Sequence, residues 1–174
     1  HDIPHTVARA IAAAVRWDVQ MLTVHTSGGR AMLEAAAKSA QETAAKLGRT
    51  APLVLGVTVL TSLDSRELGE VGVEPNVGHQ VERLAALAVS AGLRGLVCSP
   101  LEIAALRQML PPATELVTPG IRAAGARSDD QKRTMSAAEA IAAGADWLVV
   151  GRPICAALDP REAAEHMLAS LRQG

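Results

Sequence analysis

An α/β fold of the (β/α)8 TIM-barrel kind is predicted for this chain by three observations. Short Val/Leu-rich runs alternate with Ala/Leu-rich segments of helical spacing, the pattern of buried parallel strands covered by helices. The runs begin about every 32 residues, close to the ~31 of a barrel built from about 250 residues in eight units. Each run ends in groups able to hold a ligand: His25 and Ser27, Thr61 and Ser62, Ser99, Arg122, and Arg152. An open doubly wound sheet has similar units but gathers such residues at one switch point.

The strands are expected at 19–24, 53–60, 93–98, 115–118 and 146–150, each closed by Gly, Ser, Pro or Asp. Helices are expected at 6–15, 30–47, 77–90, 101–110, 136–143 and 161–171. Thr6 is placed to cap the first. Pro100 after Ser99 marks a helix start, and Ser136 with Glu139 forms an S-x-x-E capping box. Gly48, Gly92 and Gly144 stand where helices end in a left-handed residue. Five strands do not close an eight-stranded barrel. The chain is therefore expected to carry roughly the last five βα units of a single barrel domain spanning 1–174, truncated at its N-terminus, with no internal boundary.

Composition narrows the partners. Lys and Arg number 17 against 18 Asp and Glu, so no broad field attracts nucleic acid or an anionic membrane. Only Trp17 and Trp147 are aromatic, which removes the stacking platforms of single-strand binders. Cys98 and Cys155, far apart in apolar sequence, read as buried free thiols of a reducing cytoplasm. Apolar stretches are broken well short of a membrane span and no signal-peptide pattern opens the chain, so a soluble, untargeted protein is expected.

The chemistry concentrates toward the C-terminal end. Val117-Thr118-Pro119-Gly120-Ile121-Arg122 and Leu148-Val149-Val150-Gly151-Arg152-Pro153 are apolar runs that stop at a glycine and an arginine. Consecutive βα loops of a barrel present backbone N–H groups and cations to a phosphate ester in this way. Gly permits close approach, Arg supplies a bidentate cation, and the following helix adds its dipole; the structural alternative is an arginine ion-paired on the rim. A sugar phosphate or nucleotide is the expected substrate. Residues 122–131, small, polar and ending at Gln131, have the composition of a lid over a phosphate, or of a solvated loop.

Elsewhere each motif keeps two readings. Asp2 is a loop or capping carboxylate unless a site claims it. His1 and His5 have the spacing of a metal pair, but Pro4 between them argues against a helix and no third ligand is near. Gly28-Gly29 suits an anion or merely a tight turn, and His25 reads as a hydrogen-bonded residue at the barrel mouth rather than a general base. Thr61 and Ser62 suit a heterocycle edge or a ribose, or a helix cap.

Seven segments together resemble the orotidine 5′-phosphate decarboxylase family, in its bacterial form: Asp2-Ile3-Pro4-His5-Thr6, Val24-His25-Thr26-Ser27-Gly28-Gly29, Val57-Thr58-Val59-Leu60-Thr61-Ser62, Leu96-Val97-Cys98-Ser99, Val117 to Arg122, Asp130-Gln131 and Val150-Gly151-Arg152-Pro153-Ile154. They follow the family's order and approximate spacing over essentially the whole chain. The resemblance implies cofactor-free decarboxylation of orotidine 5′-monophosphate to UMP in pyrimidine biosynthesis, by a cytoplasmic homodimer with shared active sites. It implies that Asp2 is the second aspartate of an Asp-x-Lys-x-x-Asp signature, so that the first Asp and the proton-donating Lys lie upstream of His1. Thr6 would contact the nucleotide and, like Asp2, reach the partner subunit's site. Thr61 would bind the pyrimidine or its ribosyl neighbourhood, and Arg122, Gln131, Gly151 and Arg152 the phosphate end. His5 departs from the family's usual Asn, and Ser99 would line the mouth. The alternatives are another phosphosugar lyase or epimerase of the same superfamily, which would use Mg2+ and a strand-end glutamate, or a non-catalytic phosphate-binding fragment.

Overall fold

The computed structural model describes residues 1–122 and 134–171, and contacts divide them into two compact units. The first comprises His1–Thr58, His79–Val97 and Leu110–Thr114. Its helix α1 (Pro4–Arg16) buries Val7, Ile11 and Val15 at i, i+4 and i+8. Helix α2 (Arg30–Lys46) packs against it, with Ser39 Oγ donating to the Ala8 carbonyl at 2.6 Å, and buries Ala36, Ala40 and Ala44.

Three parallel strands, β1 (Met21–His25), β2 (Leu53–Val57) and β3 (Gly95–Val97), lie side by side in this unit. Met21 pairs with Leu53 and His25 with Val57, while Leu55 pairs with Gly95. Gly56 is forced by packing. A Cβ there would lie 2.8 Å from Thr26 Oγ1, 3.1 Å from Ala88 Cβ and 3.2 Å from Leu93 Cδ2. After β2 the chain passes through α3 (Ser65–Glu70) into α4 (Val77–Ser90), whose Val81, Leu84, Ala85 and Ala88 are buried.

The second unit comprises Val59–Gly78, Cys98–Met109 and Glu115–Gly174. A 3-10 turn, Pro100–Glu102, leads into α5 (Ile103–Met109). Strand β4 (Glu115–Thr118) pairs in parallel with β7 (Trp147–Leu148), Val117 opposite Trp147. Between them β5 (Ile121–Arg122) and β6 (Met135–Ser136) make a small parallel pair, followed by α6 (Ala137–Ala142). After β7 come α7 (Arg152–Cys155) and α8 (Pro160–Leu171).

The predicted alternation is present, with corrections of extent. The second strand stops at Val57 instead of continuing to residue 60; Thr58, just beyond it, sends both its N–H, at 3.1 Å, and its hydroxyl, at 3.0 Å, to the Val97 carbonyl. The first helix starts at Pro4, two residues earlier than expected. Proline fits the first helical turn, where its missing N–H is no loss, so Ile3 rather than Thr6 stands at the N-cap. Helix α3 is an addition to the expected elements, although Asp64 and Glu67 form a full capping box that signals it. Cys98 is buried as predicted but Cys155 is exposed, since α7 is a single turn with no buried residue. Gly48, Gly92 and Gly144 have φ of 64°, 91° and 109°, the left-handed stops expected of them.

Candidate active site

Asp2 and Thr6 belong to the first unit. Pro4 sets the start of α1, and Asp2 shortly before it accepts the Ile3 N–H at Oδ1, 2.6 Å away. Thr6 is exposed on the first turn of the helix. His25 ends β1 half-buried, with its ring centroid 6.1 Å from that of His1. The Gly28-Gly29 pair takes the structural reading. Gly29 has φ 86° and donates to the Thr26 carbonyl at 3.1 Å, and a Cβ on Gly28 would lie 2.2 Å from Met32 Sδ.

The remaining described candidates belong to the second unit. Thr61 is half-buried in a turn, with Ser62 exposed beside it. Ser99 is fully buried and serves as a cap, for its hydroxyl accepts the Leu101 N–H at 3.3 Å and its N–H donates to Glu102 Oε2 at 2.8 Å.

Arg122 lies in β5, so it belongs to a strand pair rather than to the loop expected from composition. Gly120, with φ 82°, turns the chain after β4, and its carbonyl accepts the Met135 N–H at 3.2 Å. This places Arg122 opposite Ser136. Arg122, Ser136, Ala137, Ala138 and Pro153 line an open cavity of about 470 Å³, together with His166, Met167 and Ser170 of α8. Arg122 and the residue next to Arg152 thus share one cavity wall, a proximity of the two arginine motifs that spacing alone does not reveal. The α8 residues escape sequence reasoning, because nothing in their pattern distinguishes this face from an ordinary amphipathic one. Residues 123–133, Gln131 among them, lie outside the described residues.

Gly151 and Arg152 are exposed at the end of β7. Among the described residues, a Cβ on Gly151 would meet nothing within 4 Å. The helix that follows is only Arg152–Cys155, one turn, so the dipole expected of it is small and what the segment offers an anion is its backbone and the guanidinium. Glu139, at the third position of α6, is held below the usual carboxylate range by hydrogen bonds from the Ser136 hydroxyl and then the Ser136 N–H. No helix among the described residues is long and apolar enough to cross a membrane.

Residues 1–167 match the model of the Orotidine 5'-phosphate decarboxylase / HUMPS family. The chain belongs to that family. Orotidine 5'-phosphate decarboxylase of Opitutus terrae is 56% identical over 172 residues, which are 99% of this chain and 73% of the relative. The corresponding protein of Moorella thermoacetica is 54% identical, over 98% of this chain and 68% of its own length. Among solved structures, the orotidine 5'-phosphate decarboxylase of Lactobacillus acidophilus superposes with a TM-score of 0.85 at 33% identity, covering 98% of this chain and 71% of the other. The family's fold is the (β/α)8 barrel, and the chain carries an α/β portion of it with parallel strands, as the alternation of elements predicted.

Proposed function

We infer that the protein containing this chain is a carboxy-lyase that converts orotidine 5′-monophosphate to UMP, in pyrimidine biosynthesis. The carrying observation is that curated relatives 47–56% identical to it, matched over 92–100% of the chain, are named orotidine 5'-phosphate decarboxylase. No observation favours the epimerase alternative. We read the chain as part of one barrel domain acting as a cytoplasmic homodimer.

The chemistry explains the division of labour among the residues. Loss of CO2 from C6 of the pyrimidine leaves a vinyl carbanion with no neighbouring electron sink, so stabilisation must be electrostatic and preorganised. In this reading Asp2 belongs to the family's catalytic Asp-Lys-Asp-Lys network, whose lysine protonates C6. Thr61 holds the pyrimidine or its ribosyl neighbourhood, and Thr6 touches the nucleotide across the dimer interface. Arg122, Gln131, Gly151 and Arg152 bind the phosphate, whose remote binding energy keeps the site closed and dry. The exposure of Arg152, the open space over Gly151 and the cavity shared by Arg122 and Pro153 support the phosphate assignment.

The full-length protein should consume orotidylate, followed by its absorbance, at an undiminished rate in excess EDTA. Activity abolished by chelation would overturn the cofactor-free reading, and no turnover at all would overturn the assignment.

A further inference from the structure

We propose that Ser136, locked by Glu139, is a positioning residue for Arg122. The proposal rests on the phosphate reading of Arg122 given above, and every residue it uses belongs to the second unit.

The strand that carries Arg122 is only Ile121–Arg122, and among the described residues its one sheet neighbour is β6, itself only Met135–Ser136. Arg122 stands opposite Ser136 and Ile121 opposite Met135, and the Met135 N–H donates to the Gly120 carbonyl at 3.2 Å. A two-stranded pair this short is marginal by itself. The backbone under the guanidinium is therefore held only as firmly as β6 is.

The helix that follows fixes β6. Ser136 is the N-cap of α6 and closes a box with Glu139. Its N–H donates to Glu139 Oε2 at 2.9 Å, its hydroxyl donates to the same oxygen at 2.5 Å, and the Glu139 N–H donates to Ser136 Oγ at 3.3 Å. Helix α6 is anchored by the buried Ala137 and Ala140, and it packs on β5 as well as on β6. Ser136 is thus at once the residue beside Arg122 and the cap of the helix, and the two side chains line the same open cavity. Without the box the end of β6 leaves its place in a fraction of the molecules, and phosphate affinity falls with the fraction that still presents Arg122. Bound substrate restores the presenting form, so the loss falls on KM rather than on kcat.

The test is steady-state kinetics of the full-length protein on orotidine 5′-monophosphate and on the nucleoside lacking the phosphate. Ser136→Ala and Glu139→Ala should each raise KM for the nucleotide roughly 3- to 10-fold, within what one N-cap contributes, with kcat changed less than about twofold. On the nucleoside, kcat/KM should stay within about twofold of the parent. The double variant should be no worse than the worse single one, since both remove the same box, and in an Arg122→Ala background Ser136→Ala should add nothing further. Ser136→Thr, which keeps the hydroxyl, should bring KM back to within about twofold. Unchanged KM in both single variants, equal losses on nucleotide and nucleoside, a full Ser136→Ala effect persisting without Arg122, or a Ser136→Thr as poor as Ser136→Ala would each overturn the proposal. Glu139 is exposed, so its replacement leaves no hole and decides the matter even where Ser136→Ala does not fold. Arg122→Ala alone serves as the control: if it costs nucleotide and nucleoside equally, the phosphate reading of Arg122 fails, whatever the box variants do.

Discussion

Arg152 and Gly151 are adjacent, and substitution separates the roles proposed for them. Arg152→Ala removes a charge-assisted, bidentate-capable cation from the phosphate end. It should cost about 3 kcal/mol or more in kcat/KM on orotidine 5′-monophosphate. A nucleoside lacking the phosphate should be nearly indifferent to it; equal losses on both substrates would make Arg152 structural. Gly151→Ala, whose Cβ would meet nothing within 4 Å among the described residues, should weaken phosphate binding by crowding the backbone. Gly56→Ala is its opposite: three neighbours within 3.2 Å stand in the way, so that variant should lose stability. Glycine in this chain thus has two meanings, and only the surroundings of each position tell them apart.

At the scale of elements, capping boxes and one arginine clamp determine where helices begin and how they are tied. Arg107 on α5 donates to the Gly144 carbonyl from Nε at 2.9 Å and from Nη2 at 2.7 Å, and it pairs with Asp146. Asp146 also accepts the Leu116 N–H of β4 at 2.7 Å. Asp146→Ala would take the acceptor from that N–H and the carboxylate from the Arg107 guanidinium, costing about 1–3 kcal/mol and nearer the lower figure because the site is partly solvated. Denaturant titration at constant m-value checks this. The Ser136–Glu139 box gives a pH signature. The folded-state pKa of Glu139 is depressed, so its contribution is present above the ordinary glutamate pKa and lost as pH falls through the depressed folded value. Ser136→Ala should therefore be destabilised relative to the parent at neutral pH, with the deficit shrinking in acid. A deficit of the same size across the acid range would show that the box is not what holds Glu139 ionised.

For the whole molecule, the prediction concerns assembly. Analytical ultracentrifugation of the protein should give a dimer, and a strict monomer with full activity would remove the cross-subunit role given to Asp2 and Thr6.

By itself the sequence determined the alternation of strands and helices, the stops at Gly48, Gly92 and Gly144, and the Ser136–Glu139 box. All of these are local: a left-handed turn or a cap depends on residues a few positions apart, and helical or strand burial leaves a period in the chain. The seven motifs also made the family legible, since each keeps its place relative to the next. What only the tertiary structure decided are the facts set by distant neighbours. Thr58 brings both its N–H and its hydroxyl to the carbonyl of Val97, 39 positions away in the chain. Cys155 is exposed because the one-turn helix that carries it buries nothing. Arg122 comes to share a cavity with Pro153 because β5 pairs with β6. Hydrogen bonds and packing across dozens of residues leave no period in the sequence, which is why the motifs could be read from the chain while their company could not.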